Sequence, residues 1–417
     1  MQRRRRGERR GVSDGIEIFG PGGGALSREA LAERLEAGRL RLAAPFSPAR
    51  KALVAGVAER ILRGGGFSPA VTHFGFWTRA AALAALEKGF MARLAPDVQA
   101  RPRGLAFHLP PQNVETVFLY SWALAYLVGA ANVVRLPAEM SGEMRRVLDL
   151  FLDALAEEGE GSQLFLTYPS GSDLGAAISA LSDVRLVWGG SAKVATFASL
   201  PLRDGGKSLS FGDRFSFSVL DGAALAALDA PGRDALAARL RNDVFVFDQM
   251  ACASPHNIYI VGERAAHLEA AEALMAALSG AAAARGYAVE TGHAIRKMVS
   301  AFSAAAAGEA EKVDWADPIV TAVVDREAAR RESRVGGGYL RLAFIPGLEA
   351  LPPLVRPHDQ TITHFGFAPE AVRAAAAALG PYGVSRWAPV GAALDFDFVW
   401  DGYDIPFELV RCVRIQC

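Results

Sequence analysis

The chain has 417 residues, of which 51% are hydrophobic, 22% charged and 9% aromatic, and its 45 Lys plus Arg balance 45 Asp plus Glu. This is a globular composition with room for two or three domains, and the absence of a charge excess gives no support to a nucleic-acid or anionic-membrane partner. Cysteines number three, Cys252, Cys412 and Cys417, an odd count without metal-type spacing, which argues against a disulfide framework and for a reducing cytoplasm.

In chain order, the opening MQRRRRGERR reads as a solvated tail within a partly disordered lead-in over 1–45, with no apolar core behind its arginines to make a secretory signal. GLAFHLP (104–110) is expected to be a strand, 114–130 a helix and NVVRLP (132–137) the next strand. Residues 117–134 are uncharged over the minimum length for a bilayer span. Glu115 and Arg135 abut that stretch, and Gly129 and Asn132 divide it, so a buried helix feeding a strand is expected and no membrane span. A helix from Glu139 to Glu158 follows, with Met140, Met144, Val147, Phe151 and Leu155 on one face. QLFLTYP and VRLVWGG supply two more strands around a helix at 172–181. Such consecutive βαβ units build a parallel sheet, and dinucleotides bind beyond the carboxyl ends of its strands.

A second α/β region starts near FSFSVLD (215–221) and carries an Ala-rich helix at 264–285 and the strand-like PIVTAVVD. The Gly-rich RVGGGYLRL is expected to be a flexible join within it. THFGF occurs at 72–76 and 363–367 without similarity around it, which points to chance or a shared packing role rather than a duplication. FVFDQMACASPH sets Cys252 in a small-residue turn ahead of the strand HNIYIVG. A lone Cys in apolar company is ordinarily a small core residue; small neighbours on a turn also suit a nucleophile that a substrate must approach, and the residues alone leave both readings open.

Blocks at 73–83 (HFGFWTRAAAL), 104–137, 187–221 (VWGGSAKV through SFGDRFSFSVLD), 247–261 (FDQMACASPHNIYIV) and 399–411 (VWDGYDIPFELVR) resemble, in order, the LuxC-type long-chain acyl-CoA reductases of the aldehyde dehydrogenase superfamily, which supply fatty aldehyde to bacterial luciferase. The resemblance covers residue 50 to the end. It implies an aldehyde-dehydrogenase-like α/β fold, with a Rossmann-type dinucleotide-binding domain over 46–214, to which 386–417 returns unless it serves an oligomer interface, and a catalytic α/β domain over 215–385. By the same resemblance Cys252 is the nucleophile that takes up the acyl group, and Asn113 the oxyanion amide, a position that also suits a helix N-cap. Gly189, Gly190, Ser191 and Gly212 fall on the cofactor side, the first three at a helix N-terminus suited to a pyrophosphate. Arg135 falls where relatives keep a cation near the adenosine ribose, and a guanidinium that forks onto a 2′-phosphate favours NADPH.

Four departures accompany the match. Ser210 stands where oxidative relatives carry a water-activating glutamate, His256 stands for glutamine, Ala130 for asparagine, and Asn113 precedes Val-Glu instead of Val-Pro. Loss of the base fits an enzyme that reduces its acyl-cysteine rather than hydrolysing it. The expected activity is therefore NADPH-dependent reduction of an acyl thioester to aldehyde in a cytoplasmic homo-oligomer, with acyl-CoA or an acyl-donor protein such as a synthetase or transferase as partner. The alternatives are an acyltransferase or thioesterase-like protein and a non-catalytic partner of the same fold.

Overall fold

The computed structural model describes residues 15–20, 23–111, 116–314, 317–329, 334–381 and 383–416. The chain divides into two compact units, Met1–Gly212 with Ile405–Cys417, and Asp213–Asp404.

In the first unit the strands β1 (Ile16–Ile18), β2 (Ala25–Leu26), β4 (Leu105–Leu109), β5 (Ala131–Arg135), β6 (Gln163–Thr167), β7 (Val184–Trp188) and β8 (Lys207–Phe211) form one sheet in the order β2-β1-β6-β5-β4-β7-β8. A separate ribbon pairs β3 (Val98–Pro102) with the C-terminal Val410–Arg414. Strands β4 to β8 run parallel, and β1 and β2 add antiparallel pairs at the β6 edge. In chain order the parallel strands read 3-2-1-4-5, so the winding reverses between β4 and β7 and leaves a crevice there. Each of β4, β6 and β7 is buried along its whole length, which is why these strands are apolar runs and not alternating ones.

Helices α1 (Arg28–Arg39), α2 (Pro48–Gly64), α3 (Pro69–Thr78), α4 (Ala80–Met91), α5 (Val117–Leu127), α6 (Gly142–Glu157), α7 (Leu174–Leu181) and α8 (Ser191–Ala198) complete this unit. From residue 15 onward the lead-in is built into it: β1 pairs with β6, and Leu31 and Leu35 of α1 enter the core. The uncharged stretch 117–134 is the short helix α5 feeding β5, and α5 is apolar all round, with Trp122 meeting both Phe165 of β6 and Phe151 of α6. Among the described residues no helix is long and apolar enough to cross a membrane. α6 starts at Gly142, later than the periodicity alone suggests, because the Ser141 hydroxyl accepts from the Met144 N–H at 3.2 Å and caps it.

A buried polar chain crosses the sheet beneath the crevice. Trp188 Nε1 donates to Ser121 Oγ (3.1 Å), Ser121 Oγ meets His108 Nδ1 (2.8 Å), His108 Nε2 meets Asn132 Oδ1 (2.8 Å), and Asn132 Nδ2 donates to Gln163 Oε1 (2.8 Å). The Asn132 oxygen accepts, so His108 Nε2 carries the hydrogen and Nδ1 accepts from Ser121. Burial holds the imidazole neutral, with its pKa down to about 4.

The second unit repeats the layered plan. Its strands are β9 (Phe215–Asp221), β10 (Pro255–Val261), β11 (Ala310–Asp314), β12 (Thr321–Asp325), β13 (Tyr339–Ile345), β14 (Asp359–Phe365) and β15 (Arg386–Pro389), in the order β11-β12-β13-β10-β9-β14-β15, parallel except for β11. The short α9 (Gly222–Ala226) follows β9, and α10 (Ala230–Phe245) and α11 (Arg264–Ala283) cover one face through Leu236, Leu240, Val244, Leu274 and Leu278. The glycine run expected to be a flexible join is instead a buried turn. Gly336, Gly337 and Gly338 all have positive φ (79°, 60° and 83°), and a Cβ on Gly338 would lie 2.4 Å from the Ile319 carbonyl oxygen. THFGF is helical in α3 and lies at the end of β14 in its second copy.

Asp243 of α10 is fully buried, and its carboxylate accepts from the N–H groups of Gly391 (2.6 Å) and Ala393 (2.9 Å). Burial, reinforced by Asp395, outweighs these bonds and raises its pKa from 3.8 to about 7. An acid whose folded pKa is raised stabilises the fold fully below 3.8 and loses that contribution as pH rises through about 7. Asp243→Ala orphans two N–H groups and should lower stability by about 2–4 kcal/mol in urea unfolding. Asp243→Asn should keep part of that stability and abolish the fall between pH 4 and 7; an unchanged pH slope would refute the assignment.

Candidate active site

The carboxyl ends of β4, β5, β6 and β7 open into a cleft of about 990 Å³ in the first unit. Arg135, Gly189 and Gly190 line it, Ser191 opens α8 at its edge, and a Cβ on Gly212 would lie 3.6 Å from Ser191 Oγ. Four of the residues matched to a cofactor role thus share the cleft or its edge, with Gly212 against them. Gly189 has φ +138°, which favours glycine, and Gly190 is the N-cap of α8. The N-terminal end of a helix suits an anion. The Arg135 guanidinium lies 4.5 Å from the Tyr168 ring centroid and donates to the Tyr168 carbonyl at 3.3 Å.

Among the described residues, Arg135 Nε and the Tyr168 hydroxyl, both buried atoms of side chains that line this cleft, have no hydrogen-bond partner. Burial raises the Tyr168 pKa to about 12 against the pull of Arg135. A polar hollow at the switch point of a doubly wound sheet is where dinucleotides bind in such folds.

Lys193 was not singled out in the sequence. It reaches back from the first turn of α8 and donates to the carbonyls of Leu109 (3.1 Å), Pro110 (2.7 Å) and Trp188 (3.0 Å). Burial, with Arg135 adding, lowers its pKa to about 8. Its only sequence signal was its place in VWGGSAKV, three residues after Gly190.

Cys252 belongs to the second unit, in the turn between α10 and β10, and is half-buried. Asp248 and Gln249 both take positive φ (51° and 63°), unusual for non-glycine residues. The fully buried Gln249 holds that backbone: its amide donates to the carbonyls of Pro255 (2.8 Å) and Tyr339 (2.9 Å), and its oxygen accepts from the Gly338 N–H (3.1 Å). Gly337 N–H donates to the Asp248 carbonyl at 2.9 Å, so the glycine turn braces the cysteine turn. Ser216 Oγ donates to the Cys252 carbonyl at 2.7 Å and accepts from the Thr361 N–H at 3.2 Å, which stitches the turn to β9 and β14.

Around the thiol stand residues far apart in sequence. Gln360 of β14 hydrogen-bonds it, and the Gln360 amide also donates to Asp401, whose other oxygen takes Arg214 Nε at 3.1 Å. Gln360 Oε1 is buried without a partner. Burial, then the charge of Asp401, push the Cys252 thiol up to about 12, while Gln360 and Arg334 favour the thiolate. His256 is buried, lies tilted against Phe215 with ring centroids 5.4 Å apart, and is held neutral by burial and Arg334 with a pKa of about 3, which removes it as an acid near neutrality. Asp248 accepts from the Tyr287 hydroxyl at 2.9 Å, and Asp213 pairs with Arg334 at 3.8 Å. Ser210 lies in β8 of the first unit, opposite Val187. Asn113 lies outside the described residues. Among the described residues no cluster of His, Cys, Asp or Glu could hold a metal ion.

Solved structures that resemble the chain share its fold at low identity. An oxidoreductase from Marinobacter aquaeolei is 15% identical with a TM-score of 0.60, over 95% of this chain and 94% of that one. A methylmalonate-semialdehyde dehydrogenase from Oceanimonas doudoroffii gives 13% and 0.63, over 92% and 89%. A protein assigned to the same activity from Sinorhizobium meliloti 1021, complexed with NAD, gives 14% and 0.62, over 96% and 94%. The fold is that of the aldehyde dehydrogenases. No curated protein sequence matches the chain. A family model described as acyl-CoA reductase (LuxC) matches residues 96–412, and with three-quarters of its length inside that match the chain belongs to the LuxC acyl-CoA reductase family.

Proposed function

We propose that this member of the family reduces an acyl thioester to the aldehyde with NADPH, through an acyl group carried on Cys252. The observation that carries the reading is the Cys252 turn: two positive-φ residues, a clamping glutamine and a glycine brace hold one small-flanked thiol beside a buried amide. A core cysteine that only filled space would need none of these devices.

In this mechanism the Cys252 sulfur, as thiolate, attacks the thioester carbonyl carbon. The tetrahedral oxyanion collapses, the bond to the donor's sulfur breaks, and the departing thiolate takes up the proton that Cys252 lost. Gln360 favours the sulfur anion at the start and when the acyl group leaves, and Asp401 with Arg214 fixes the orientation of its amide. Asn113 is the proposed oxyanion donor, by resemblance alone. A reduced nicotinamide supplies the hydride that releases the acyl group as aldehyde. The glycine turn Gly189–Gly190 with Ser191 would take its pyrophosphate, Gly212 flanks that turn, and Arg135, which lines the cleft, would take a 2′-phosphate. The nearest carboxylates in sequence, Asp213 and Asp248, are engaged with Arg334 and Tyr287, which leaves them poor bases for hydrolysis. The donor is acyl-CoA or an acyl-donor protein, and a cytoplasmic homo-oligomer is the proposed working form. The high thiol pKa is the feature that favours a non-catalytic reading, and acylation separates the two.

Incubation with acyl-CoA in the absence of cofactor should raise the intact mass by one acyl group, and Cys252→Ala should abolish the rise. With NADPH the product should be aldehyde in excess of free acid. Acylation at the exposed Cys412 instead would overturn the mechanism.

With a thiol pKa of about 12, the thiolate fraction of Cys252 grows about tenfold per pH unit throughout the neutral range. Its alkylation by iodoacetamide in the free protein should follow that slope up to at least pH 9, and Gln360→Leu should lower the rate at every pH. A plateau near pH 7 would contradict this account.

Arg135→Ala should weaken NADPH binding by about 1.5–3 kcal/mol, the cost of a hydrogen bond to a charged group, and leave NADH almost unchanged. Equal losses for both would assign Arg135 to the fold.

A further inference from the structure

The two strands between which the winding reverses, β4 and β7, end with their carbonyl oxygens pointing into the same crevice. Three of those oxygens, on Leu109, Pro110 and Trp188, converge on the single ammonium of Lys193. An ammonium has three N–H donors, so all of them are used. Lys193 is therefore not a free point charge waiting for a phosphate, although it lines the cleft.

The electrostatics of the cleft explain what such a lysine is for. Carbonyl dipoles present partial negative charge, and Glu17 and Glu139 line the same cleft, with Arg135 as the other cation. An anionic ligand entering over bare carbonyls would be repelled at the point where the N-terminus of α8 would otherwise attract it. The glycine turn makes room for the device: a Cβ on Gly189 would lie 3.2 Å from Lys193 Cδ, so a side chain there would press on the lysine stem.

We infer that Lys193 is a positioning residue for the dinucleotide: its ammonium ties the ends of β4 and β7 together, neutralises their carbonyls, and so lets the pyrophosphate approach the helix α8 turn. The inference rests on reading the cleft as a dinucleotide site. It separates two roles for the two cations, Arg135 distinguishing NADPH from NADH and Lys193 serving the part that both cofactors share.

The test measures NADPH and NADH binding by fluorescence titration, thermal unfolding, and cofactor-free acylation of Cys252 by acyl-CoA, on the full chain. Lys193→Met should weaken both cofactors by a similar factor of about ten or more. Lys193→Arg, which keeps the charge, should recover most of the affinity; Lys193→Gln, which keeps donors without charge, should not. Cofactor-free acylation of Cys252 is the control that each variant retains a competent thiol. Should Met destabilise the fold, the contrast between Arg and Gln at matched unfolding temperature still decides the matter. Unchanged affinity in Lys193→Met or equal recovery by Arg and Gln would overturn the role of Lys193. Wild-type protein that binds neither cofactor would instead overturn the dinucleotide reading on which it rests.

Discussion

The buried hydrogen-bond chain from Trp188 through Ser121, His108 and Asn132 to Gln163 is the constraint on which the first unit turns. It touches β7, α5, β4, β5 and β6 in succession, and each member has one acceptable orientation once Asn132 is fixed as acceptor at His108. Parallel strands could otherwise slide by two residues and still bury apolar faces. A one-way polar chain penalises such a slip, because any misregister strands a donor in a medium that cannot solvate it. The strand ends that form the cleft therefore finish level with one another.

The second unit achieves local precision by different means. At its cysteine turn one side chain, Gln249, makes three bonds to backbone groups, and a glycine turn from a distant part of the sequence braces it. The strain of two positive-φ residues is thus borne by contacts that only the completed sheet supplies.

Much of this was readable from residue order. The apolar runs of β4 to β7, the buried nature of the 117–134 stretch and the family blocks all rest on local pattern, and local pattern survives folding. What stayed hidden depends on distance in the chain. Gln360 and Asp401 carry no spacing relation to Cys252, and Lys193 looks like any surface lysine until the carbonyls it meets are known. RVGGGYLRL misled because glycine signals either freedom or a left-handed turn, and only the neighbours at Asp248 and Ile319 reveal which. THFGF makes the same point with identical letters: five residues take a helix in one setting and a strand end in the other, since packing overrules so short a preference.

A resting thiol with a pKa of about 12 has a consequence for chemistry unrelated to acyl groups. Peroxide attacks thiolates, and the first rung of cysteine oxidation is reached at a rate set by the anion fraction. Cys252 is therefore shielded from sulfenic acid formation by the same burial and the same neighbouring carboxylate that slow its reaction with any electrophile. On the proposed reading, a thiol held this way would meet peroxide chiefly in the moments when its anion forms.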